Sequence, residues 1–240
     1  MQENIPLTYC FKATNRTPIK HMLTSISKFI KFKMHKSLGF LLLYLSVSSL
    51  ASDPDPVLDF CIPSSTTACE NPTLATPDDF VFTGIRSAGN FSDTGLSSSP
   101  VNHAVFPGLN TLGMSAVRAD LKPGGINPPH FHPRATEMVY VLHGKVYAGF
   151  VDSTNRVFAK VIKRGDVMVF PRGLVHFQMN VGKRPATVFG CFNSQNPGTQ
   201  KIPNVLFGSG INDVLLEKAF GLSIKQVIEM RRRFLPKPHH

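Results

Sequence analysis

Two segments punctuated by glycine and proline constrain the fold of this chain more than any other feature. The first sets two histidines and a carboxylate between glycines: Gly124-(five residues)-His130-Phe131-His132-(four)-Glu137-(six)-Gly144. The second sets a third histidine after a turn: Gly165-(five)-Pro171-Arg172-Gly173-(two)-His176-(three)-Asn180. Glycine and proline at such offsets mark tight corners between short strands. Three imidazoles and one carboxylate are a plausible ligand set for a divalent metal.

The spacing inside the first segment fits a β-strand. His130 and His132 are two residues apart, so on a strand their side chains point to the same face and can reach one ion. Glu137 is an odd number of residues from both, and an unbroken strand would aim it the other way. Proline does not fit a regular central strand. We therefore predict a bulge or bend near Pro133-Arg134 that turns Glu137 back toward the histidines.

The second segment supplies the remaining candidate ligand. His176 and Asn180 are four residues apart and share a face on the strand predicted after the turn at Pro171-Arg172-Gly173. A lone His-x-His is more often an ordinary polar pair. A third histidine and a carboxylate in matching context favour a metal site, so His130, His132, Glu137 and His176 are the candidate metal ligands.

Short strand-like runs, separated by turn residues, follow one another from residue 114 onward. They cover Met114–Leu121, Glu137–Leu142, Lys145–Val151, Val157–Ile162, Val167–Phe170, His176–Val181 and Thr187–Phe192. This pattern is typical of an antiparallel barrel or jelly roll rather than of a parallel α/β sheet. We predict a mainly β, single-domain jelly-roll barrel over about residues 110–205, with no internal repeat that would indicate a second barrel.

A helical extension is predicted after the barrel, over about residues 211–233. Asn212–Phe220 has a helical apolar period and stops at Gly221. Ser223, followed by Gln226 three residues later, is a capping box that opens a second helix. The apolar side of this helical pair can pack on its own barrel or on a partner subunit, and the sequence leaves both open.

The positive charge of the chain is concentrated near its N-terminus. The formal net charge is +11, and residues 1–51 carry +6 of it through seven basic residues and one acidic residue. Beyond Arg231-Arg232-Arg233, the rest has no basic and aromatic stripe of the kind that binds nucleic acid. We expect no nucleic-acid partner. A mildly cationic mature surface suits contact with acidic polysaccharide, although solubility explains it equally well.

The N-terminal region has the pattern of a secretory leader. An apolar run over residues 38–50 follows two lysines and precedes small residues near Ala51. This pattern predicts a signal peptide over 34–51, and the run is too short to span a bilayer. Residues 1–33 are an extension that is either an upstream start or a longer leader. The predicted mature domain is 52–240, with no membrane span.

Secretion makes the cysteines and one asparagine interpretable. Cys61 and Cys69 are close in sequence, and an oxidising compartment favours a disulfide between them. Cys191 lies in an apolar run and is predicted to be a buried, unpaired residue. Asn90-Phe91-Ser92 is a glycosylation sequon in a Gly/Ser-rich stretch, so we predict an exposed, glycosylated loop.

The two histidine segments match both motifs of the cupin superfamily at every position. The chain resembles, more closely, the plant germin and germin-like proteins over nearly all of residues 53–235. The stretches that carry this resemblance are Leu109–Met114, Asn127–Glu137, Pro171–Asn180 and Phe192–Gly198. The ring closed by the cysteine pair is shorter than in many members of that family.

The resemblance implies a secreted glycoprotein of the plant cell wall or apoplast, assembled as a hexamer (a trimer of dimers). It also implies one manganese ion per barrel, bound by His130, His132, Glu137 and His176. Mn²⁺ favours six mixed nitrogen and oxygen ligands, so four protein ligands leave about two positions; Fe²⁺ and Zn²⁺ suit the same donors. Asn127 and Asn180 either orient the ligands and bound water or form turn and strand-end hydrogen bonds.

The resemblance implies several activities. Superoxide dismutation that yields hydrogen peroxide, with a role in defence, is the first expectation. Oxalate oxidation is the second, and a non-catalytic small-molecule-binding or structural wall protein is the third. Oxalate-oxidising germins carry an asparagine thirteen residues before the first metal-binding histidine. This chain has Val117 there, although it retains Asn127, and the change weakens the case for oxalate.

Overall fold

The computed structural model describes residues 58–63 and 69–235. Ten strands are formed: β1 (Leu96–Val101), β2 (Ser115–Leu121), β3 (Ile126–Phe131), β4 (Glu137–His143), β5 (Lys145–Val151), β6 (Val157–Lys163), β7 (Val167–Phe170), β8 (His176–Asn180), β9 (Ala186–Phe192) and β10 (Gln200–Lys201). Three α-helices follow: α1 (Ile202–Phe207), α2 (Asp213–Phe220) and α3 (Ile224–Phe234). Short 3₁₀ helices lie at Pro72–Leu74, Pro77–Phe80 and Pro107–Leu109.

The strands form two five-stranded antiparallel sheets, and the predicted jelly-roll architecture is confirmed. The first sheet has the order β1-β2-β9-β4-β7, and the second has the order β10-β3-β8-β5-β6. Alternation along β4 shows how the sequence builds the sandwich: Val139 and Val141 are buried, whereas Met138 and Tyr140 are exposed. The inward side chains of both sheets make one core, which comprises Leu96, Ala119, Leu121, Val139, Val141, Val146, Ala148, Ile162, Phe170, Ala186 and Val188.

The seven strands expected from the sequence are all present within a few residues of their predicted bounds. Three further strands, β1, β3 and β10, lie outside the predicted runs. β1 reads Leu-Ser-Ser-Ser-Pro-Val and β3 contains two prolines, so neither has the composition typical of strands. Pairing with β2 and β8 holds them in place despite that composition.

The predicted bend after His132 is present, but the strand does not continue beyond it. β3 ends at Phe131, a turn occupies Pro133 and Arg134, and Glu137 begins β4. β4 belongs to the first sheet and β3 to the second. The bend therefore moves the chain from one sheet to the other, and the carboxylate faces the histidines across the sandwich. A separate irregularity in the pairing of β3 with β8 lies earlier, between Asn127 and His130.

The segment before β1 is fastened to the barrel by polar contacts. Cys61 and Cys69 form the predicted disulfide, and Asn110 Nδ2 donates to the Cys61 carbonyl over 2.9 Å. Arg118 on β2 donates to the carbonyls of Ile85 and Arg86 at 3.1 and 3.0 Å. The Arg118 bonds hold this segment against the first sheet, and the Asn110 bond ties it to the loop between β1 and β2.

The predicted helical pair is present, with the stop at Gly221 and the capping box at Ser223 where the sequence places them. Asn212 caps α2 by accepting from two backbone amides, and Gly221 ends that helix in the left-handed conformation. Ser223 and Gln226 form the capping box of α3. Buried Phe207, Leu216 and Val227 form a small apolar cluster, so part of the apolar face packs within the extension itself. The short α1 was not predicted.

Within the part of the chain that the model describes, no helix is both long and apolar enough to cross a bilayer. The predicted signal peptide and the extension at 1–33 lie outside the described residues.

Candidate metal centre

Four buried side chains from both sheets converge at one point of the sandwich. His130 lies on β3 directly opposite His176 on β8, in the second sheet. Glu137 at the start of β4 approaches from the first sheet, and His132 lies just beyond the end of β3. One ligand atom of each residue lies within 4.8 Å of the others, and all four residues are buried. The structure thus brings together the full set of predicted metal ligands.

Backbone carbonyls fix two of the imidazoles in one tautomer. His130 Nδ1 lies 2.8 Å from the Pro128 carbonyl, and His176 Nδ1 lies 2.9 Å from the Leu174 carbonyl. A carbonyl only accepts, so Nδ1 carries the proton and, in a neutral ring, Nε2 presents its lone pair. Partners of this kind orient metal-binding histidines in proteins.

The electrostatics favour a neutral imidazole and an ionised carboxylate. Burial, followed by the charge of neighbouring His176, lowers the pKa of His130 to about 3. Burial alone would raise the pKa of Glu137. The Nε2 atoms of His132 and His176, where they carry a proton, stabilise the carboxylate, outweigh that effect and lower the pKa to about 2. Neutral imidazole and carboxylate are the forms that bind a metal.

The short contacts inside the cluster are favourable only when a proton or a metal ion lies between the atoms. Glu137 Oε2 lies 3.0 Å from His176 Nε2 and 3.2 Å from His132 Nε2. His132 Nε2 is buried and has no hydrogen-bond partner, because its approach to the carboxylate lies outside hydrogen-bonding geometry. Lone pairs at such distances repel unless a proton or a metal ion lies between them. Three imidazole nitrogens and one carboxylate oxygen fit a divalent transition metal.

Aromatic rings and a glycine shape the walls of the cluster. The Phe170 ring stacks on His176 at 4.5 Å between centroids, and Phe192 lies 4.7 Å from the His132 ring. A Cβ atom at Gly190 on β9 would lie only 2.6 Å from Glu137 Oε1. The missing side chain therefore leaves the space that the carboxylate occupies. Sequence reasoning did not identify these three residues.

The two asparagines predicted to support the candidate ligands have different roles. Asn127 Nδ2 donates to Gln178 Oε1 over 2.7 Å and lies 3.5 Å from His130 Nε2, beside the candidate ligands. Asn180 instead donates to three backbone carbonyls and accepts from the Gly182 amide, so it takes the alternative role of a strand-end hydrogen-bonding residue. Gln178 was missed, although it is two residues from His176 and shares its face.

A cavity of about 360 Å³ opens beside the cluster. His130, His132 and Glu137 line it, so three of the four candidate ligands face open space. Val117, the position where the oxalate-oxidising germins carry asparagine, also lines it. A ligand in the cavity would therefore reach the cluster and touch Val117.

The two remaining predicted sites, Asn90 and Cys191, supply no candidate ligand. Asn90 is exposed in an irregular loop, where a sequon is accessible. Cys191 is an unpaired cysteine, as predicted, but it is only partly buried.

The fold and the four-residue cluster define a cupin, and a family model described as Cupin matches residues 83–228. The chain is 58% identical over 200 residues to germin-like protein subfamily 3 member 2 of Arabidopsis thaliana, covering 78% of this chain and 88% of that protein. It is 52% identical over 212 residues to germin-like protein 2-4 of Oryza sativa subsp. japonica, covering 82% and 93%. The chain belongs to the germin-like family of cupins.

A solved structure supports the same assignment. The chain is 38% identical to the chain of a solved structure from work on the mechanism of oxalate oxidase, and the two superpose with a TM-score of 0.73. The match covers 76% of this chain and 98% of that chain. The cupin fold is thereby established for this chain, and the cluster of three histidines and one glutamate is its candidate metal site.

Proposed function

We propose that the protein is a manganese-binding germin-like protein that dismutates superoxide to dioxygen and hydrogen peroxide. The observation that carries this proposal is the buried group of three imidazoles and one carboxylate, with one side facing a cavity. His130, His132, Glu137 and His176 would hold the ion. A manganese ion bound there would supply a centre that exchanges one electron with each of two superoxide anions, which together take up two protons.

The residues of the chain support this chemistry in two ways. Carbonyl partners on Nδ1 of His130 and His176 keep both Nε2 atoms available as donors. The cluster contains a single carboxylate and neutral imidazoles. With a divalent ion bound, the site would therefore carry a net positive charge. Lys201 lines the same cavity, and both charges attract an anion.

Oxalate oxidation is the second candidate, favoured by the similarity to the oxalate oxidase structure and by Asn127 beside the cluster. Val117 argues against it. A valine methyl in the cavity wall gives no hydrogen bond to a small dianion, so one polar contact is lost. A protein that binds a ligand without catalysis, or that serves the wall structurally, is the third.

Paired superoxide and oxalate assays on the manganese-loaded protein test this order. We expect dismutation in the wild-type protein, loss of at least 90% of it in His176→Ala, and little oxalate turnover in either. Val117→Asn should raise oxalate turnover if this position limits it. Unchanged dismutation in folded His176→Ala would reject the metal-centred proposal, and a folded, metal-loaded protein inactive in both assays would favour the non-catalytic alternative.

We further propose the setting expected for the family. Residues 34–51 direct secretion to the apoplast or cell wall, and 52–240 is the mature domain. The protein assembles as a hexamer, a trimer of dimers, and is glycosylated at Asn90, which is exposed. Acidic wall polysaccharide is a candidate partner, and hydrogen peroxide would serve defence.

A further inference from the structure

The end of the barrel remote from the metal cluster carries a group of basic side chains. β8 begins at the candidate ligand His176 and ends at Asn180, about 13 Å further along the strand. Pairing of β5 with β8 and β6 brings three turns to the Asn180 end. We call the five exposed basic residues of these turns the basic end: Lys145, Lys163, Arg164, Lys183 and Arg184.

Backbone contacts hold these side chains on one surface. Lys145 at the start of β5 lies directly opposite Lys163 at the end of β6. The Val181 amide donates to the Lys145 carbonyl over 3.0 Å, which places the turn after β8 beside that pair. Buried Asn180 donates to the Arg184 carbonyl over 2.8 Å and accepts from the amide two residues after it over 2.9 Å. The basic end is therefore part of a fixed framework.

The charge of the basic end is not neutralised within the described part of the chain. None of its five residues forms an ion pair with a carboxylate that the structure describes. Asp166, the one acidic residue of the same turns, accepts from the Lys163 amide through Oδ2 over 2.9 Å. Like charges directly opposite each other on paired strands are destabilising, and Lys145 and Lys163 are such a pair. A bound anion would relieve this repulsion.

The composition of these turns favours a polymer of sugar carboxylates over other polyanions. Residues 144–145, 163–166 and 181–185 contain no aromatic side chain that would stack on a nucleic-acid base or anchor in a membrane interface. Arginine pairs well with carboxylates, because its planar guanidinium donates two parallel hydrogen bonds. The disulfide between Cys61 and Cys69 fits an oxidising, extracellular setting.

We propose that the basic end binds a linear polyuronate, an acidic polysaccharide with a carboxylate on each sugar. Lys145 and Lys163 contact it from the second sheet, and Lys183 and Arg184 contact it from the adjacent turn. This inference rests on the extracellular setting in the proposed function and gives the proposed polysaccharide contact a location. It requires neither manganese nor dismutation.

Calorimetric titration of the manganese-loaded protein with a short oligogalacturonate tests the inference, with the fully methyl-esterified oligomer as the neutral probe. We expect the acidic oligomer to bind at least tenfold more tightly than the ester. The double variant Lys145→Gln with Lys163→Gln should weaken that binding about tenfold, since it removes two exposed charge contacts. Without ligand it should unfold at no lower temperature than the wild type, because the lysines repel each other.

The double variant Lys218→Gln with Lys225→Gln is the matched control. It removes the same charge at exposed lysines on α2 and α3, and we expect less than a twofold change in affinity. Equal weakening in the two double variants would show that only net charge matters and would overturn the inference. Equal binding of acid and ester, or tighter binding of double-stranded DNA or phosphatidylserine vesicles at the same salt concentration, would also overturn it.

Superoxide assays on the same samples separate this inference from the proposed activity. Both double variants should dismutate superoxide as the wild type does, because their lysines lie outside the metal cluster. Oligogalacturonate binding in the expected pattern, without dismutation, would reject the proposed activity and leave the inference standing. Dismutation without oligogalacturonate binding would do the reverse.

Discussion

At the residue scale, the cluster depends as much on a missing side chain as on its four donors. Glu137 reaches the histidines across the sandwich because Gly190 on β9 leaves room for its carboxylate. A Cβ atom there would also lie 2.9 Å from Val117 Cγ1. Gly190 is therefore a positioning residue that sets where the carboxylate lies.

Gly190→Ala should weaken manganese binding about tenfold or more. Mutating residues that orient metal ligands commonly lowers metal affinity by about 10–100-fold. Gly149→Ala is the matched control, because its Cβ would lie 2.4 Å from Ala159 Cβ and touches no candidate ligand. Both variants should lose stability through overpacking, by about 1–3 kcal/mol. Metal titration measures manganese affinity and thermal unfolding measures stability, so together they separate the two effects. Equal manganese affinity in the two variants would show that Gly190 does not position the carboxylate.

The sequence identified the four candidate ligands but not their surroundings. His130 and His132 are two residues apart, as on one face of a strand, and His176 follows a turn signal. Local spacing was therefore sufficient to identify these histidines as candidate ligands. Gly190 and Phe170 approach the site only because β4 pairs with both β9 and β7. No local pattern encodes that pairing, so these residues required the structure.

At the scale of elements, caps and turns were readable, whereas strands of unusual composition were not. The stop of α2 at Gly221 and the capping box of α3 at Ser223 are present as predicted, because capping is decided within a few residues. The cap at Asn212 was not predicted. β1 and β3 contain proline, so their strand propensity is low and the sequence did not predict them. Pairing with neighbouring strands holds them in the sheets. The jump of the chain between sheets after Pro133 was likewise expected only as a bend within one strand.

The contact between β2 and the segment before β1 gives a prediction at this scale. Arg118 pairs with buried Asp120 at 2.8 Å while also binding the Ile85 and Arg86 carbonyls. Arg118→Gln should destabilise the protein by about 2 kcal/mol, less than the roughly 3–5 kcal/mol of a fully buried pair, because 21% of its side chain is exposed.

Denaturant unfolding and limited proteolysis measure this effect, and cleavage should accelerate near residues 83–86. Arg156→Gln is the control, because that side chain is 71% exposed and its pair with Asp152 is screened by solvent, so it should contribute little to stability. Equal stability losses in both variants would show that the Arg118 contacts do not fasten the segment.

At the scale of the whole molecule, the outer face of the first sheet exposes apolar side chains on two paired strands. Met138 lies opposite Val169, and Tyr140 lies opposite Val167, on the paired strands β4 and β7. All four are exposed, between 42% and 55%. An exposed apolar patch of this kind is a candidate interaction surface, and a second copy of the chain is the occupant that the proposed hexamer would supply.

Val169→Lys should therefore dissociate the proposed hexamer to smaller species, because a charge would be buried at the contact. Light scattering coupled to size-exclusion chromatography measures the mass, with Val105→Lys, at an exposed residue outside the strands, as the control. A wild-type monomer, or a hexamer unaffected by Val169→Lys, would contradict this use of the face.

We propose that four residues together bind one manganese ion, and the metal content of the purified protein tests this binding. Purified, folded wild-type protein loaded with manganese should hold one ion per chain by mass spectrometry. His143→Ala, an exposed histidine outside the cluster, should hold the same. His176→Ala should fall below about a tenth of an ion, because removing one imidazole from the donor set weakens binding severely. Full manganese occupancy in folded His176→Ala, or none in folded wild-type protein, would show that these four residues do not form a manganese site.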